Sequence, residues 1–254
     1  MNTVIFAGGG TAGHIEPALS VAREWKMTHA DSEIIFLGTK SGLETRLVPD
    51  AGFQLSLITK VRIARSLSPS LLLVPISLLR ALSQCLRLVR KADLVVGFGG
   101  YVSGPAYFAA AISGTPFVIH EANARPGIAN RIGAYLTRFT ATTHPIENGS
   151  LSSALISGLP LREDVVSAYR ASQSDWTAAR KAAKSALGFS EAQPLIFIFG
   201  GSQGSTAIND VIADSQESLT LRGIQILHGV GARNEVPRSQ GSYRAVSYIS
   251  DMAT

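Results

Sequence analysis

The chain has 254 residues, 46% of them apolar and 16% charged, with 24 glycines and a formal net charge of +5. That composition excludes a disordered or fibrous chain and is enough for one large or two smaller domains. A single cysteine, Cys85, excludes an internal disulfide framework and a thiolate metal cluster; it fits a reducing compartment, so a cytoplasmic protein is expected.

Met1-Asn2-Thr3 leads straight into an apolar run with no basic start and no cleavable apolar core, so no signal peptide is read. Short apolar runs then alternate with helical stretches. The pattern predicts a strand over Thr3 to Ala7, a helix from Ile15 to Thr28, a strand over Glu33 to Leu37, a helix over Leu43 to Pro49 and a strand over Gln54 to Ile58. A helical region in Ser70 to Lys91 follows, then a strand over Leu94 to Gly97, a helix over Pro105 to Ile112 and a strand over Phe117 to His120. A helix over Gly127 to Tyr135 and a strand over Phe139 to Thr142 complete the first half. The uncharged stretch Leu94 to His120 is long enough for a membrane span, but Gly97, Gly99, Gly100, Gly104-Pro105 and Gly114-Thr115-Pro116 interrupt it.

This alternation implies a parallel sheet wound on both faces, with ligands at the carboxyl ends of its strands. The polar stretch Glu147 to Ser153 and then Gly158-Leu159-Pro160 mark a boundary, giving domains over 1–158 and 159–254. Beyond it the sequence predicts one charged helix over Glu163 to Leu187, a strand over Leu195 to Phe199 and a helix through Ile208 and Val211. Strands over Gln225 to His228 and Val246 to Ile249 follow, and Ser250-Asp251 reads as a helix start. The second domain is therefore expected to be incomplete against the usual ~100–150 residues.

Three glycine-rich loops stand at strand ends. Gly8-Gly9-Gly10-Thr11-Ala12-Gly13-His14 opens a helix and sets backbone N–H groups where an anion can approach. Gly97 to Pro105 and Gly200-Gly201-Ser202-Gln203-Gly204 repeat the arrangement. Each alone is equally a tight structural turn; three together point to phosphorylated ligands. A dinucleotide site needs an acid at the end of the second strand. Gly38-Thr39-Lys40 stands there, while Asp31 and Glu33 lie at the other end, so the oxidoreductase reading is the weaker one.

His14 stands at a helix start, where the dipole favours an uncharged ring, as a general base requires; the plain alternative is a capping or packing histidine. His120-Glu121-Ala122-Asn123 closes a strand, so Glu121 or Asn123 is placed to meet sugar hydroxyls while His120 packs. His29, His144 and His228 have no metal-ligand spacing. No Asp-x-Asp pair is present to hold a divalent ion on a diphosphate, which leaves amides, a helix dipole and Arg162 to meet that charge.

Between Asp50 and Asp93 lie Lys60, Arg62, Arg65, Arg80, Arg87, Arg90 and Lys91 and no acid. At helical spacing Leu78, Leu82, Cys85, Leu86 and Val89 share one side, with Arg80, Arg87 and Lys91 opposite. This is either a solvated helix face or a basic surface for anionic lipid headgroups, to which Leu67, Leu71, Leu72, Leu73, Pro75, Ile76 and Leu79 add apolar area. Nucleic acid is not expected, because no aromatic interleaving or reader motif accompanies the charge.

The first loop with Pro17-Ala18-Leu19, the second loop, His120 to Asn123 with Asn130, Gly158 to Arg162, the third loop, and Ile249 before Asp251-Met252-Ala253 appear together in one order. In this the chain resembles the MurG family of bacterial cell-wall glycosyltransferases, which transfer N-acetylglucosamine from UDP-N-acetylglucosamine to the muramyl 4-hydroxyl of lipid I, making lipid II. The resemblance implies an α/β protein of two Rossmann-like domains of glycosyltransferase B type, the second incomplete here. It implies inversion at the sugar carbon, no cofactor and no essential metal. It also implies a peripheral place on the cytoplasmic face of the inner membrane, against an anionic surface and among other cell-wall or division proteins.

Carried over by position, Thr11, Ala12, Gly13 and Asn123 meet the donor sugar, and Arg162, Ser202 and Ile249 meet the UDP. Gly99, Gly100 and Ser103 lie at the acceptor pyrophosphate, while Gly201, Gln203 and Gly204 receive the departing UDP. His14 is the expected base, with Glu121 as the other candidate. Ala12 departs from the glycine of many members. The family continues past Asp-Met-Ala with a ribose-binding glutamate and a base-binding glutamine, neither of which this sequence contains. A non-catalytic, membrane-associated domain that binds lipid I is the alternative reading.

Overall fold

Val4-Ile5-Phe6-Ala7 is buried on both sides, and that burial explains the architecture of the first half of the chain. The computed structural model describes residues 2–61, 74–201, 203–249, 251 and 253. Strand β1 (Thr3–Gly8) is followed by α1 (Ala12–Thr28), β2 (Glu33–Gly38), α2 (Glu44–Asp50), β3 (Gln54–Leu57), α3 (Val74–Val89) and β4 (Leu94–Gly99). Then come α4 (Ser103–Ser113), β5 (Phe117–Glu121), α5 (Ile128–Gly133), β6 (Thr140–Thr142) and β7 (Leu155–Ile156). The seven strands form one sheet in the order β3-β2-β1-β4-β5-β6-β7, and every pairing is parallel. The two-residue strand β7 has no counterpart in the sequence reading.

Successive side chains of a strand point to opposite faces, so a strand covered on both faces reads as a continuous apolar run. Ile5 and Ala7 pack with Ile35, Leu37, Val95, Ile119 and residues of α3 and α4. Val4 and Phe6 pack on the other face with Phe36, Val96 and Ile15, Ala18 and Leu19 of α1. Burial of one such large side chain stabilises the fold by about 1.5–3 kcal/mol.

Helix α3 turns Ala81, Cys85 and Val89 inward. Burial pushes the Cys85 thiol up to about 12. Leu78, expected on that inner side, instead lies exposed with Ile76 and Leu79. It precedes the first buried residue of the helix, so the core has nothing to offer it. The part of the expected helix over residues 70–73, with Arg62, Arg65, Leu67, Leu71, Leu72 and Leu73, lies outside the described residues. Among the described residues no helix is long and apolar enough to cross a membrane.

The chain divides into two units, Met1–Arg162 and Glu163–Thr254. The second contains α6 (Glu163–Ser174), α7 (Trp176–Ala186), β8 (Leu195–Phe199), α8 (Thr206–Leu221), β9 (Gln225–Gly229) and β10 (Tyr243–Val246). The single helix expected over 163–187 is two. Asp175 is extended (φ −150°) and its Oδ1 accepts the Ala178 amide at 2.9 Å, an N-cap that starts a new helix. The last strand is three residues earlier than expected. Tyr243 and Ala245 face inward while Arg244 reaches out over the Phe189 ring, so the strand alternates between core and surface. The three strands form a parallel sheet in the order β10-β9-β8 around a small core of Ile212, Ile226, Val230, Tyr243 and Ala245.

Candidate functional site

In a doubly wound sheet the ligand crevice opens where the strand order reverses, because neighbouring loops there run to opposite faces. In the first unit that point lies between β1 and β4, whose pairing shifts register from Ala7–Gly97 to Gly8–Gly99. The first and second glycine loops leave these two strands. The sequence therefore places both loops at one location.

Thr11 is the N-cap of α1, but its hydroxyl does not cap; it lies 3.1 Å from His14 Nδ1. Among the described residues the amides of Thr11, Ala12 and Gly13 donate to no protein acceptor. Free amides at a helix N-terminus, with the dipole behind them, form an anion-binding edge. The Gly10 amide differs, for it donates to Glu44 Oε2 at 2.9 Å.

The second loop packs directly on the first. Gly100 has φ +85°, and a Cβ there would overlap the Gly9 carbonyl. A Cβ on Gly99 would stand 3.4 Å from His14 Nε2 and 3.3 Å from Asn130 Nδ2, so the His14 ring lies along the Gly99 backbone. Ser103, expected at the ligand, is fully buried. Its Oγ lies 2.7 Å from the Ala7 carbonyl and 2.8 Å from the Gly99 carbonyl, one hydroxyl serving both strands as a strut. Lys60, just past β3 and read from sequence only as part of the basic segment, holds Nζ 4.9 Å from the centroid of the Tyr101 ring, a cation beside the second loop.

Glu121 is buried and accepts four hydrogen bonds. Oε1 takes the amide and Nδ2 of Asn123, both at 2.8 Å. Oε2 takes the Gly127 amide at 2.9 Å and Asn130 Nδ2 at 3.0 Å. Tyr107 donates to Asn130 Oδ1 at 2.8 Å. Burial raises the Tyr107 pKa, so the phenol remains a donor. Glu121 thus fixes exposed Asn123 through both its backbone amide and its side-chain Nδ2. The His120 ring is tilted against that of Phe98, and its Nε2 lies 3.0 Å from the Gly158 carbonyl. Nε2 therefore carries the proton there, and Nδ1 is buried without a partner.

In the second unit the third loop joins β8 to α8. Gly204 has φ +75°, and a Cβ there would overlap the Val230 carbonyl. Asn234 Nδ2 donates to the carbonyls of Gln203 at 3.0 Å and Val230 at 2.8 Å, tying the loop to the end of β9. Beside it lies a cavity of about 180 Å³ lined by Phe199, Gly201, Gly229, Gly231, Tyr248 and Ile249, among others. Ile249 sits on Gly229, where a Cβ would meet its Cδ1 at 2.6 Å. Gln203 is exposed at the loop tip; Ser202 lies outside the described residues. Arg162 closes the first unit. Among the described residues no three His, Cys, Asp or Glu side chains are grouped to hold a metal ion.

Parallel sheets with glycine loops at helix N-termini in both units define a Rossmann-like protein of glycosyltransferase B class. Residues 4–142 match the glycosyltransferase family 28 N-terminal domain and residues 195–254 match its C-terminal domain, and the chain belongs to this family. It is 44% identical over 237 residues to a Frankia casuarinae protein named UDP-N-acetylglucosamine--N-acetylmuramyl-(pentapeptide) pyrophosphoryl-undecaprenol N-acetylglucosamine transferase, covering 92% of this chain and 61% of that one. A Thermobifida fusca protein of the same name is 44% identical, covering 98% of this chain and 65% of its own length. The crystal structure of Acinetobacter baumannii MurG superimposes with a TM-score of 0.66 at 25% identity, covering 100% of this chain and 68% of that chain. The chain thus spans about two thirds of the length of these proteins.

Proposed function

We propose that this chain acts as an inverting glycosyltransferase, moving N-acetylglucosamine from UDP-N-acetylglucosamine to the 4-hydroxyl of the muramyl sugar of lipid I and so forming lipid II. The names of its relatives support the donor and acceptor. The observation that carries the chemistry is the place of His14, with Nδ1 on the Thr11 hydroxyl and its Nε2 edge along Gly99, where the two loops of the first unit meet.

The tautomer in which Nδ1–H donates to Thr11 Oγ1 leaves the Nε2 lone pair free to accept a proton. In the proposed step the muramyl 4-oxygen attacks the anomeric carbon from the side opposite UDP as His14 Nε2 takes its proton. The carbon–oxygen bond to the diphosphate breaks and UDP leaves with the electron pair, so the configuration inverts. A positioned general base contributes about 10²–10⁴ in rate. Glu121 is not suited to this step, because both oxygens are committed to four donors; it holds Asn123 for the sugar.

The free amides of Thr11, Ala12 and Gly13, with Gly99 and Gly100, suit a sugar diphosphate. In the second unit Gly201, Gln203 and Gly204 suit the diphosphate of UDP, with Ser202 of the same loop as a further ligand. The apolar cavity bounded by Ile249 suits a flat pyrimidine. The exposed Ile76 and Leu79 of α3 beside Arg80 and Arg87 suit peripheral docking on the anionic inner face of the cytoplasmic membrane, near other cell-wall or division proteins.

The reading is tested by incubating the protein with labelled UDP-N-acetylglucosamine and lipid I in detergent micelles. The expected product is a lipid-extractable disaccharide with a β linkage. Binding of both substrates without transfer contradicts the reading.

A further inference from the structure

Glu44, in the first turn of α2, is fully buried, and among the described residues no cation pairs with it. A buried charge is costly unless other groups compensate it. Here neutral donors do so. Oε1 accepts the Thr39 amide at 2.8 Å and the Thr39 hydroxyl at 3.1 Å, and Oε2 accepts the Gly10 amide at 2.9 Å. The carboxylate links the turn after β2 to the glycine loop after β1. A Cβ on Gly42 would overlap the carboxylate, and one on Gly9 would come within 3.2 Å of Oε1, so both loops fit closely around it.

We propose that Glu44 is a positioning residue that sets the first glycine loop for a lipid-linked sugar diphosphate: by taking the Gly10 amide it leaves those of Thr11, Ala12 and Gly13 facing the ligand. The ligand's identity rests on the function proposed above; the brace rests on the hydrogen bonds alone. Two effects of Glu44 oppose each other. Its negative charge repels a diphosphate, while its bond to Gly10 orders the loop. Neutralising it tightens acceptor binding if charge dominates and weakens it if ordering does.

Glu44→Gln keeps the shape. If the remaining oxygen keeps both Thr39 donors, the new NH2 opposes the Gly10 N–H. Gly42→Ala keeps the charge but displaces the carboxylate, at a position whose φ is not positive. Thr39→Val removes one hydroxyl donor and spares the Gly10 bond. Hydrogen exchange of the Gly10 amide is expected to quicken about tenfold or more in Glu44→Gln and Gly42→Ala, and to change less than about threefold in Thr39→Val. In the transfer assay kcat/KM for lipid I is expected to fall about 10- to 100-fold in the first two and less than about threefold in Thr39→Val.

Unchanged exchange, tighter acceptor binding in Glu44→Gln, or an equal loss in Thr39→Val overturns the proposal. If Glu44→Gln does not fold, Gly42→Ala carries the comparison. If the wild-type protein transfers nothing, the functional reading falls and the exchange data still decide the brace.

Discussion

The first and third glycine loops serve similar positions in two sheets, yet they are held by opposite chemistry. The first is held by an acceptor, the buried Glu44 carboxylate, which removes the Gly10 amide from the ligand-facing set. The third is held by a donor, the Asn234 carboxamide, which binds carbonyls and takes no amide from the loop. A neutral donor stabilises the loop without adding negative charge beside a diphosphate. The first loop gains a brace at the cost of one donor and a buried charge; the third gives no amide to its brace, though its Gly204 amide already donates to the Gly201 carbonyl at 3.0 Å, and its bonds to Asn234 are partly exposed. Their surroundings differ likewise. The strand before the first loop is buried on both faces, whereas Ile196, Phe197 and Phe199 of β8 are exposed.

The sharpest test of this contrast after the Glu44 variants is Asn234→Ala. It removes both bonds that tie the third loop to β9, and UDP affinity is expected to fall roughly tenfold, about 1.4 kcal/mol, by titration calorimetry. Lipid I binding should be unaffected. Equal affinity would mean that the close approach of Gly204 to Val230 is enough to hold the loop.

A smaller effect comes from His228 of β9, which is buried with Nδ1 at 3.1 Å from the Tyr243 hydroxyl and Nε2 at 3.1 Å from Asn209 Oδ1. Burial lowers its pKa below the ordinary histidine value. The folded state therefore binds this proton less readily than the unfolded chain. The neutral ring's contribution is intact above the unfolded value near 6.5 and declines as pH falls from there toward the folded value. The loss is at most about 1.4 kcal/mol per pH unit from this group. Denaturant titrations at several pH values should show it, with a flatter profile in His228→Gln.

The central strands β1, β2, β4 and β5 are legible because they are covered by the core and read as apolar runs; the edge strand β7 is exposed and two residues long, and no such run marks it. The glycine loops were legible because their spacing after strands is local. The missed features depend on contacts remote in sequence. Nothing around Glu44 marks it as buried until β2 brings Thr39 beside Gly10; an acid in the first turn of a short helix after a strand was the available signal. Tyr243 to Val246 and Val246 to Ile249 are equally apolar, so composition does not separate them; Ile249 packs on Gly229 while Tyr243 and Ala245 enter the small core. Asp175 interrupts a helical pattern as an N-cap, a signal that was present but outweighed by the periodicity on either side. Ser103 sits in a ligand-binding motif, yet its hydroxyl joins two strands.

The central claim is that His14 takes the proton of the attacking hydroxyl. Single-turnover transfer with saturating lipid I and UDP-N-acetylglucosamine, comparing wild type with His14→Ala, tests it directly, with circular dichroism and UDP titration to establish that fold and donor binding persist. The rate is expected to fall about 10²–10⁴-fold in the variant. A rate within about threefold of wild type would remove His14 from the proton transfer and contradict the account.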